Sequence, residues 1–327
     1  MSGLAGEDHN SSSRGSRVPS ARVDVVIVNW NAGAQLRACL ETLAAADERL
    51  GHVAHVVVVD NASSDGSAES IDPLGMALQV VRNPDNRGFA AACNQGARFG
   101  SADYVLFLNP DVRLESNSLH VAIAALDDPT NRQAAVAGIQ LCDEAGHTAR
   151  NCAHAPTPWT MVVRAIGLDR LGIARSYVMD DWPHDTTRVV DHVMGAFYLV
   201  RRAVFAQLRG FDERFFVYLE DVDFSVRARA AGWHCLYLTD ARAFHKGGGT
   251  SERAPADRLA YAVRSRLVYA RKHFTTPGRI GVGLATLVVE PCVRIGRAAI
   301  LGPSSGVTDV IRAYRQVFAR RFGRRRP

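Results

Sequence analysis

In FFVYLEDVDFSVRARAAGW, residues 215–233, three acids occupy four positions directly behind a run of aromatics: Glu220, Asp221 and Asp223 follow Phe215, Phe216 and Tyr218. Carboxylates favour a helix N-terminus and arginines its other end. The acids, Arg227, Arg229 and a stop at Gly232 therefore predict a helix beginning here. Phe224, Ala228 and Ala231 have the spacing of its buried face. One or two acids would suffice for that helix. A carboxylate beside apolar aromatics is also how a general base is held and tuned, which makes Glu220, Asp221 and Asp223 candidates for proton abstraction.

Further polar residues recur where apolar runs stop. VDVVIV (23–28) is followed by Asn29-Trp30-Asn31, HVVVVD (55–60) by Asp60-Asn61, LQVV (78–81) by Arg82-Asn83, and YVLFLNPD (104–111) ends on Asn109-Pro110-Asp111. Asp60 can accept from a base N–H or ribose hydroxyls, as strand-end acids do in nucleotide folds. Ser63 or Ser64 is expected to cap a following helix, with Asp65-Gly66 as a turn pair. Asp111 can coordinate Mg²⁺ or Mn²⁺, ions bound through one or two carboxylates plus a diphosphate. In NPDNRGFAAACNQG, Gly88 permits close backbone approach, and Arg87 and Asn94 are in reach of a ligand. His245, ahead of Gly247, Gly248 and Gly249, is a candidate metal ligand or diphosphate contact. Each motif also has a plain structural reading, as a capped turn, a strand end or a packed histidine. The chain has no G-x-G-x-x-G and no Walker motif, which argues against dinucleotide and P-loop chemistry.

Continuous β-branched runs of this kind are strands buried on both faces. Leu36, Leu40 and Leu43 follow the first at helical spacing, and a small-residue helix is expected over about 89–99. Strand–helix alternation predicts an α/β fold with a mostly parallel, Rossmann-like sheet whose ligand sits at the strands' carboxyl ends. After residue 135, AAVAGIQL, RVVDHV and AFYLV predict a mixed second half of the same sheet.

With 327 residues, 47% of them hydrophobic, the chain can bury the core of one large domain, with or without an appendage. Residues 1–21 read as a disordered leader, and no run of apolar residues is long enough to span a membrane. Six cysteines without C-x-x-C spacing predict a reducing, cytoplasmic compartment and argue against zinc. The net charge of +6 is uneven, because fifteen Lys and Arg against three acids put +12 on residues 255–327. There Leu259, Val263, Leu267, Ala270 and Phe274 share one helical face. IGVGLATLVVEPCVRIGRAAILG (280–302) is apolar but interrupted by Glu290, Pro291, Arg294 and Arg297, a composition suited to an interfacial helix or to packing on the chain's own domain.

Taken in order over about residues 22–275, VVIVNWNAGAQLRACLETL, VVVVDNASSDGS, NRGFAAACNQG, VLFLNPDV, MGAFYLVRRAVFAQLRGFDERFFVYLEDVDFSVRARAAGW and ARAFHKGGGTS resemble family 2 glycosyltransferases, most of all the bacterial rhamnosyltransferase-type branch. The resemblance implies a GT-A (Rossmann-like) mixed, mostly parallel sheet flanked by helices over residues 22–254, with a basic helical extension over 255–327. It gives Asp60 a nucleoside contact, Asp111 the last position of a D-x-D metal motif, Asp221 the role of base, and His245 that of late metal or diphosphate ligand. Asn29, Asn31, Asn61, Arg87, Gly88, Asn94 and Asn109 complete the expected donor site. Asn109 stands where the motif's first acid is usual, and His192 where a tryptophan is common, which bears on the acceptor side. The implied reaction is an inverting transfer, with dTDP-L-rhamnose as donor or, alternatively, a UDP-hexose or UDP-N-acetylhexosamine. The implied acceptor is a polyprenyl-diphosphate-linked glycan at the inner face of the cell membrane, with the basic extension on anionic lipid. Two other classes compete. A nucleotidyltransferase would need a glycine-rich N-terminal signature that VVIVNWNAG lacks. A basic-tail nucleic-acid binder would have no use for acids at the strand ends.

Overall fold

The computed structural model describes residues 22–48, 51–245, 255–301 and 305–322. The expected leader and the Gly247–Gly249 loop lie outside these residues. The β-branched runs form β1 (Val23–Asn29), β2 (Val53–Asp60), β3 (Leu78–Arg82) and β4 (Tyr104–Leu108). Every residue of β1 and β4 is buried, which is why neither alternates in polarity. The run expected to reach 111 stops at Leu108. Asn109-Pro110-Asp111 then turns the chain into β5 (Val112–Leu114), and Pro110 has no N–H to give to a ladder.

The second half adds β6 (Ala134–Cys142), β7 (Cys152–Ala153), β8 (Arg188–Val190), β9 (His192–Val193), β10 (Phe197–Arg201) and β11 (His234–His245). One sheet has the order β3-β2-β1-β4-β10-β6-β11-β5 with β8 against β11, and β7 pairs β9 separately. Strands β3, β2, β1, β4, β6 and β11 point one way; β10, β5 and β8 run against them. The sheet is mixed and mostly parallel.

Helices cover both faces. On one, α1 (Ala34–Asp47) buries Leu36, Leu40 and Leu43 beside Leu119 and Ile123 of α3 (Ser118–Asp127), against Ile27 and Leu106 of the sheet. On the other, α2 (Phe89–Ala97) lays Ala90 and Cys93 on Val26 and Val59. Beside it α5 (Arg202–Gln207) and α6 (Glu220–Ala230) pack an aromatic cluster. Phe224 of α6 lies 5.5 Å from the Phe211 ring and 5.6 Å from Phe205 of α5. Full burial of each such side chain contributes about 1.5–3 kcal/mol, and this holds the acidic start of α6 at the sheet edge. Ala231, expected on the buried face, is exposed. The helix expected after β2 is absent, and residues 61–70 are turns. Their polar side chains bond the neighbouring loop instead: Asp65 Oδ2 accepts from Gly33 N–H at 2.8 Å.

Beyond α4 (Pro158–Ile166), the C-terminal segment forms α7 (Pro255–His273), α8 (Thr276–Leu284), a π-helical turn over Ala285–Val289, α9 (Glu290–Leu301) and α10 (Ser305–Phe322). The stripe on α7 is internal. Val263 and Ala270 have no exposure, and Leu259 and Leu267 pack with Val310, Tyr314 and Val317 of α10. Buried polar contacts join α7 to α6: Asp223 accepts from Lys272 Nζ and His273 Nε2, both at 2.7 Å, and from Arg227 Nε at 2.8 Å. Burial works to raise the Asp223 pKa, but the hydrogen bonds from His273 and Lys272, with Arg227, hold it below the usual carboxylate value. The third acid of the opening motif is thus an anchor for α7. Taking one partner out of a buried charge cluster costs about 3–5 kcal/mol, so α7 is integral to the folded body.

Candidate active site

At the carboxyl edge, β1 and β2 pair so that Asn29 stands opposite Asp60. Asn29 Nδ2 donates to Asp60 Oδ1 at 2.8 Å and to Ser67 Oγ at 2.9 Å. Asn31 takes a left-handed backbone (φ 52°); its N–H donates to Ser63 Oγ at 2.9 Å and its Oδ1 accepts from Ser64 N–H at 2.7 Å. Asn61 Nδ2 donates to the Gly88 carbonyl at 3.1 Å, and its Oδ1 accepts from Asn83 Nδ2 at 2.9 Å. Asn29, Asn31 and Asn61 thus fasten the loops that follow β1, β2 and β3 to one another, with Asp60 on the resulting ledge.

Two expected donor contacts have other work. Gly88 (φ 87°) does permit a close approach, but to this chain's own backbone. A Cβ there would lie 2.5 Å from the Phe216 carbonyl oxygen, and Phe89 N–H donates to that oxygen at 2.6 Å. Asn94 spends its amide on residues 211–213: Nδ2 donates to the Phe211 carbonyl at 2.8 Å and to Glu213 Oε1 at 3.0 Å, while Oδ1 accepts from Phe211 N–H at 2.9 Å. Both residues position the segment that leads into α6. Arg87 is exposed with no hydrogen bond or ion pair to another described residue, so it is free to meet an anion.

That segment carries the acids. Tyr218 (φ 70°) and Leu219 (φ 66°) are consecutive non-glycine residues in the left-handed region, each costing about 1–2 kcal/mol. Packing on both sides holds them there. Phe216 stacks on Tyr261 of α7 at 4.7 Å between centroids, and Ser265 Oγ donates to the Val217 carbonyl at 2.7 Å. Phe215 is buried, so of the three aromatics ahead of the acids only Tyr218 is uncommitted among the described residues. The turn delivers Asp221 to a defined place. Its Oδ2 accepts from Gly195 N–H at 2.9 Å and its Oδ1 from Val222 N–H at 2.8 Å, with the side chain 16% exposed. Glu220 points inward with Oε2 unpaired among the described residues. Burial first, and the charge of Asp221 second, push its pKa well above the carboxylate range. The strongly shifted carboxyl of the pair is Glu220.

The same edge continues through β4 and β10. Asn109 N–H donates to the Ala196 carbonyl at 2.9 Å, next to the glycine that holds Asp221. Beyond it, antiparallel pairing sets His245 opposite Val112, which brings His245 Nε2 to 3.5 Å from Asp111 Oδ1. Both side chains are about nine-tenths buried. One hard oxygen donor and one imidazole nitrogen side by side fit a divalent cation that takes its remaining ligands from diphosphate oxygens and water. Among the described residues no group of three or more potential ligands exists, so of these residues only Asp111 and His245 would serve.

Residues not singled out in the sequence also build the site. A Cβ on Gly195, in the turn before β10, would lie 2.9 Å from Asp221 Oδ2, so glycine leaves room for that carboxylate. Tyr261, Ser265 and Lys272 left no local signal, since their partners are dozens of residues away. His192, which stands where a tryptophan is common in the family, is buried behind Asp221, with Nε2 3.6 Å from Oδ2.

The family model described as Glycosyl transferase family 2 matches residues 24–177, and that described as Glycosyl transferase family group 2 matches residues 104–264. The N-acetylglucosaminyl-diphospho-decaprenol L-rhamnosyltransferase of Mycobacterium tuberculosis is 28% identical over 275 residues, 75% of this chain and 82% of that protein. Rhamnosyltransferase WbbL of Escherichia coli is 27% identical over 146 residues, 44% of this chain and 52% of that protein. Mannosyltransferase PcManGT of Pyrobaculum calidifontis, solved with GDP-Man and Mn²⁺, superposes with a TM-score of 0.53 over 92% of this chain and 81% of that one at 17% identity, a likeness of GT-A fold. The chain belongs to glycosyl transferase family 2.

Proposed function

We propose that this glycosyltransferase is an inverting rhamnosyltransferase, moving L-rhamnose from dTDP-L-rhamnose to a hydroxyl of a polyprenyl-diphosphate-linked glycan. The observation that carries the reading is the Asp221 carboxylate, held by Gly195 N–H at 2.9 Å on the same edge as Asp60 and the Asp111–His245 pair. As the acceptor oxygen attacks the anomeric carbon, Asp221 takes its proton and the bond to the leaving diphosphate breaks. A single displacement with a single base inverts the anomeric centre. Asp60 receives the nucleoside, and Arg87 and Asn109 face the diphosphate. Asp111 and His245 would hold Mg²⁺ or Mn²⁺, which when bound stabilises charge on the leaving group. Support for rhamnose as donor comes from the names of the two relatives.

The purified chain is to be incubated with dTDP-L-rhamnose, UDP-glucose, UDP-N-acetylglucosamine and GDP-mannose, following slow release of nucleoside diphosphate. Fastest release from dTDP-L-rhamnose is expected. Faster turnover of a UDP-sugar would replace the donor, and no turnover of any donor, with or without a lipid-linked acceptor, would overturn the enzyme reading.

Peripheral attachment to the inner face of the cell membrane belongs to the same proposal, but through α8 and α9 rather than α7. Ile280, Leu284 and Val288 follow one another at four-residue spacing, are 55–58% exposed, and continue into Val293 and Ile300. Beside them Arg170 meets other arginines. Burial first, then the charges of Arg164, Arg294 and Arg297, lower its pKa. Apolar side chains rimmed by arginines suit an anionic bilayer, each basic side chain near the surface contributing about 1 kcal/mol. No helix among the described residues is long and apolar enough to cross it. The triple substitution Ile280→Asp, Leu284→Asp, Val288→Asp is expected to abolish sedimentation with phosphatidylglycerol vesicles while nucleotide binding is kept. Undiminished sedimentation would remove this face from the proposal, and a DNA mobility shift at physiological salt would reinstate the nucleic-acid reading.

A further inference from the structure

Behind Asp221 lies a buried polar chain that the reaction outlined above does not use. His192 Nδ1 lies 3.0 Å from Ser225 Oγ, Ser225 Oγ lies 2.9 Å from Tyr198 Oη, and Cys235 Sγ is 3.5 Å from the same serine oxygen. Resting on Asp221 as the base, we infer that His192 is a positioning residue for catalysis. Backed by Ser225 and Tyr198, it presents an Nε2–H to the Asp221 carboxylate and fixes the carboxylate's rotation.

The proton order follows from donor accounting. The Tyr198 side chain has no exposure, and its hydroxyl's partner among the described residues is Ser225. A buried hydroxyl left without an acceptor costs about 1–3 kcal/mol, so Tyr198 donates to Ser225 Oγ. The Cys235 thiol is a weak donor to the same oxygen. With its lone pairs taken, Ser225 turns its own hydrogen to its remaining neighbour, His192 Nδ1. Burial pushes the His192 pKa down, partly opposed by Asp221, so the ring is neutral. Its one proton is therefore on Nε2, the atom 3.6 Å from Asp221 Oδ2. This is longer than a hydrogen bond, as catalytic contacts often are before substrate tightens them. Oδ2 then faces two N–H groups, those of Gly195 and His192, and Oδ1 keeps a lone pair for the acceptor hydroxyl.

Other titratable groups near Asp221 do not compete. Cys93 of α2, Tyr198 of β10, Cys235 of β11 and Glu220 are all pushed upward by burial, so they stay protonated. Asp223, on the same helix, is committed to Lys272, His273 and Arg227.

Two measurements on the full-length chain test the inference. Nitrogen-15 NMR of the histidines is expected to show His192 neutral with its proton on Nε2, and that resonance should move in Asp221→Asn. This readout does not need turnover, so it stands apart from the assignment of the reaction. An Nδ1–H tautomer, or no response to Asp221→Asn, overturns the inference. In kinetics, His192→Phe should lower kcat about 10-fold, less than the roughly 100-fold of a 1 Å misplacement, with the KM for nucleotide sugar unchanged. The acid limb of its pH profile should move to higher pH, because the base loses a donor to its charged form. His192→Gln, which restores an N–H, should recover most of the rate. Ser225→Ala, which deletes one oxygen, should shift rate and profile in the same direction, and the double variant His192→Phe, Ser225→Ala should be no slower than His192→Phe. Native kinetics in Ser225→Ala, or losses that multiply in the double variant, overturn it.

Discussion

Asp221→Asn is expected to lower turnover by about 100-fold or more, with nucleotide binding near that of the unmodified chain. The substitution keeps the size and an oxygen to accept from Gly195 N–H, so the turn through Tyr218 and Leu219 stays in place. What it removes is the site for the proton. Loss of a negative charge in the first turn of α6 costs about 0.3–1 kcal/mol of stability, too little to unfold the chain. The paired control is Glu220→Gln. Glu220 is buried, its pKa is raised and its Oε2 is unpaired, so glutamine resembles the protonated form already present. A small effect is expected. Single-turnover transfer and nucleotide titration on both variants decide the assignment. If Asp221→Asn keeps more than about a tenth of the activity and Glu220→Gln does not, the base is Glu220.

Asp111→Ala is expected to weaken nucleoside diphosphate binding in Mn²⁺ by at least the ~10–100-fold lost when groups that merely support a metal ligand are removed. In EDTA the same variant should bind almost as the unmodified chain does. The reason is the two-donor set: with only Asp111 and His245 in contact at 3.5 Å, losing the carboxylate leaves one imidazole, which alone holds Mg²⁺ or Mn²⁺ poorly. His245→Ala should act in the same direction with a smaller loss, since a hard cation prefers the oxygen. Calorimetry with dTDP and UDP in both conditions, and the Mn²⁺ electron paramagnetic resonance signal with and without nucleotide, measure the difference. Equal losses with and without metal would leave Asp111 as the residue that turns β4 into β5.

The main strands, their carboxyl edge and the acids along it were legible in the order of residues. β1, β4 and the last five residues of β2 are buried on both faces, so their apolar runs did not alternate and their polar ends stood out. A resemblance spread over six stretches in order named the family, and the site's acids were legible because each sits at the end of such a run or at a helix start. Tertiary structure alone decided what each polar residue is for. Asn94 and Gly88 looked equally able to meet a ligand, but contacts with residues 211–216 claim them. Asp223 looked like its neighbour Asp221 until Lys272 and His273 arrived from about fifty residues away. His192 gave no sign of its place behind the base, because the pairing of β7 with β9 and the packing of α6 set it there. The tail shows the same division. Amphipathic spacing is equally compatible with protein and with lipid as the partner, and only the packing of α7 on α10 assigned that stripe to the interior, leaving the apolar side chains of α8 and α9 exposed. Local spacing records which side chains share a face; what that face meets depends on residues distant in the chain.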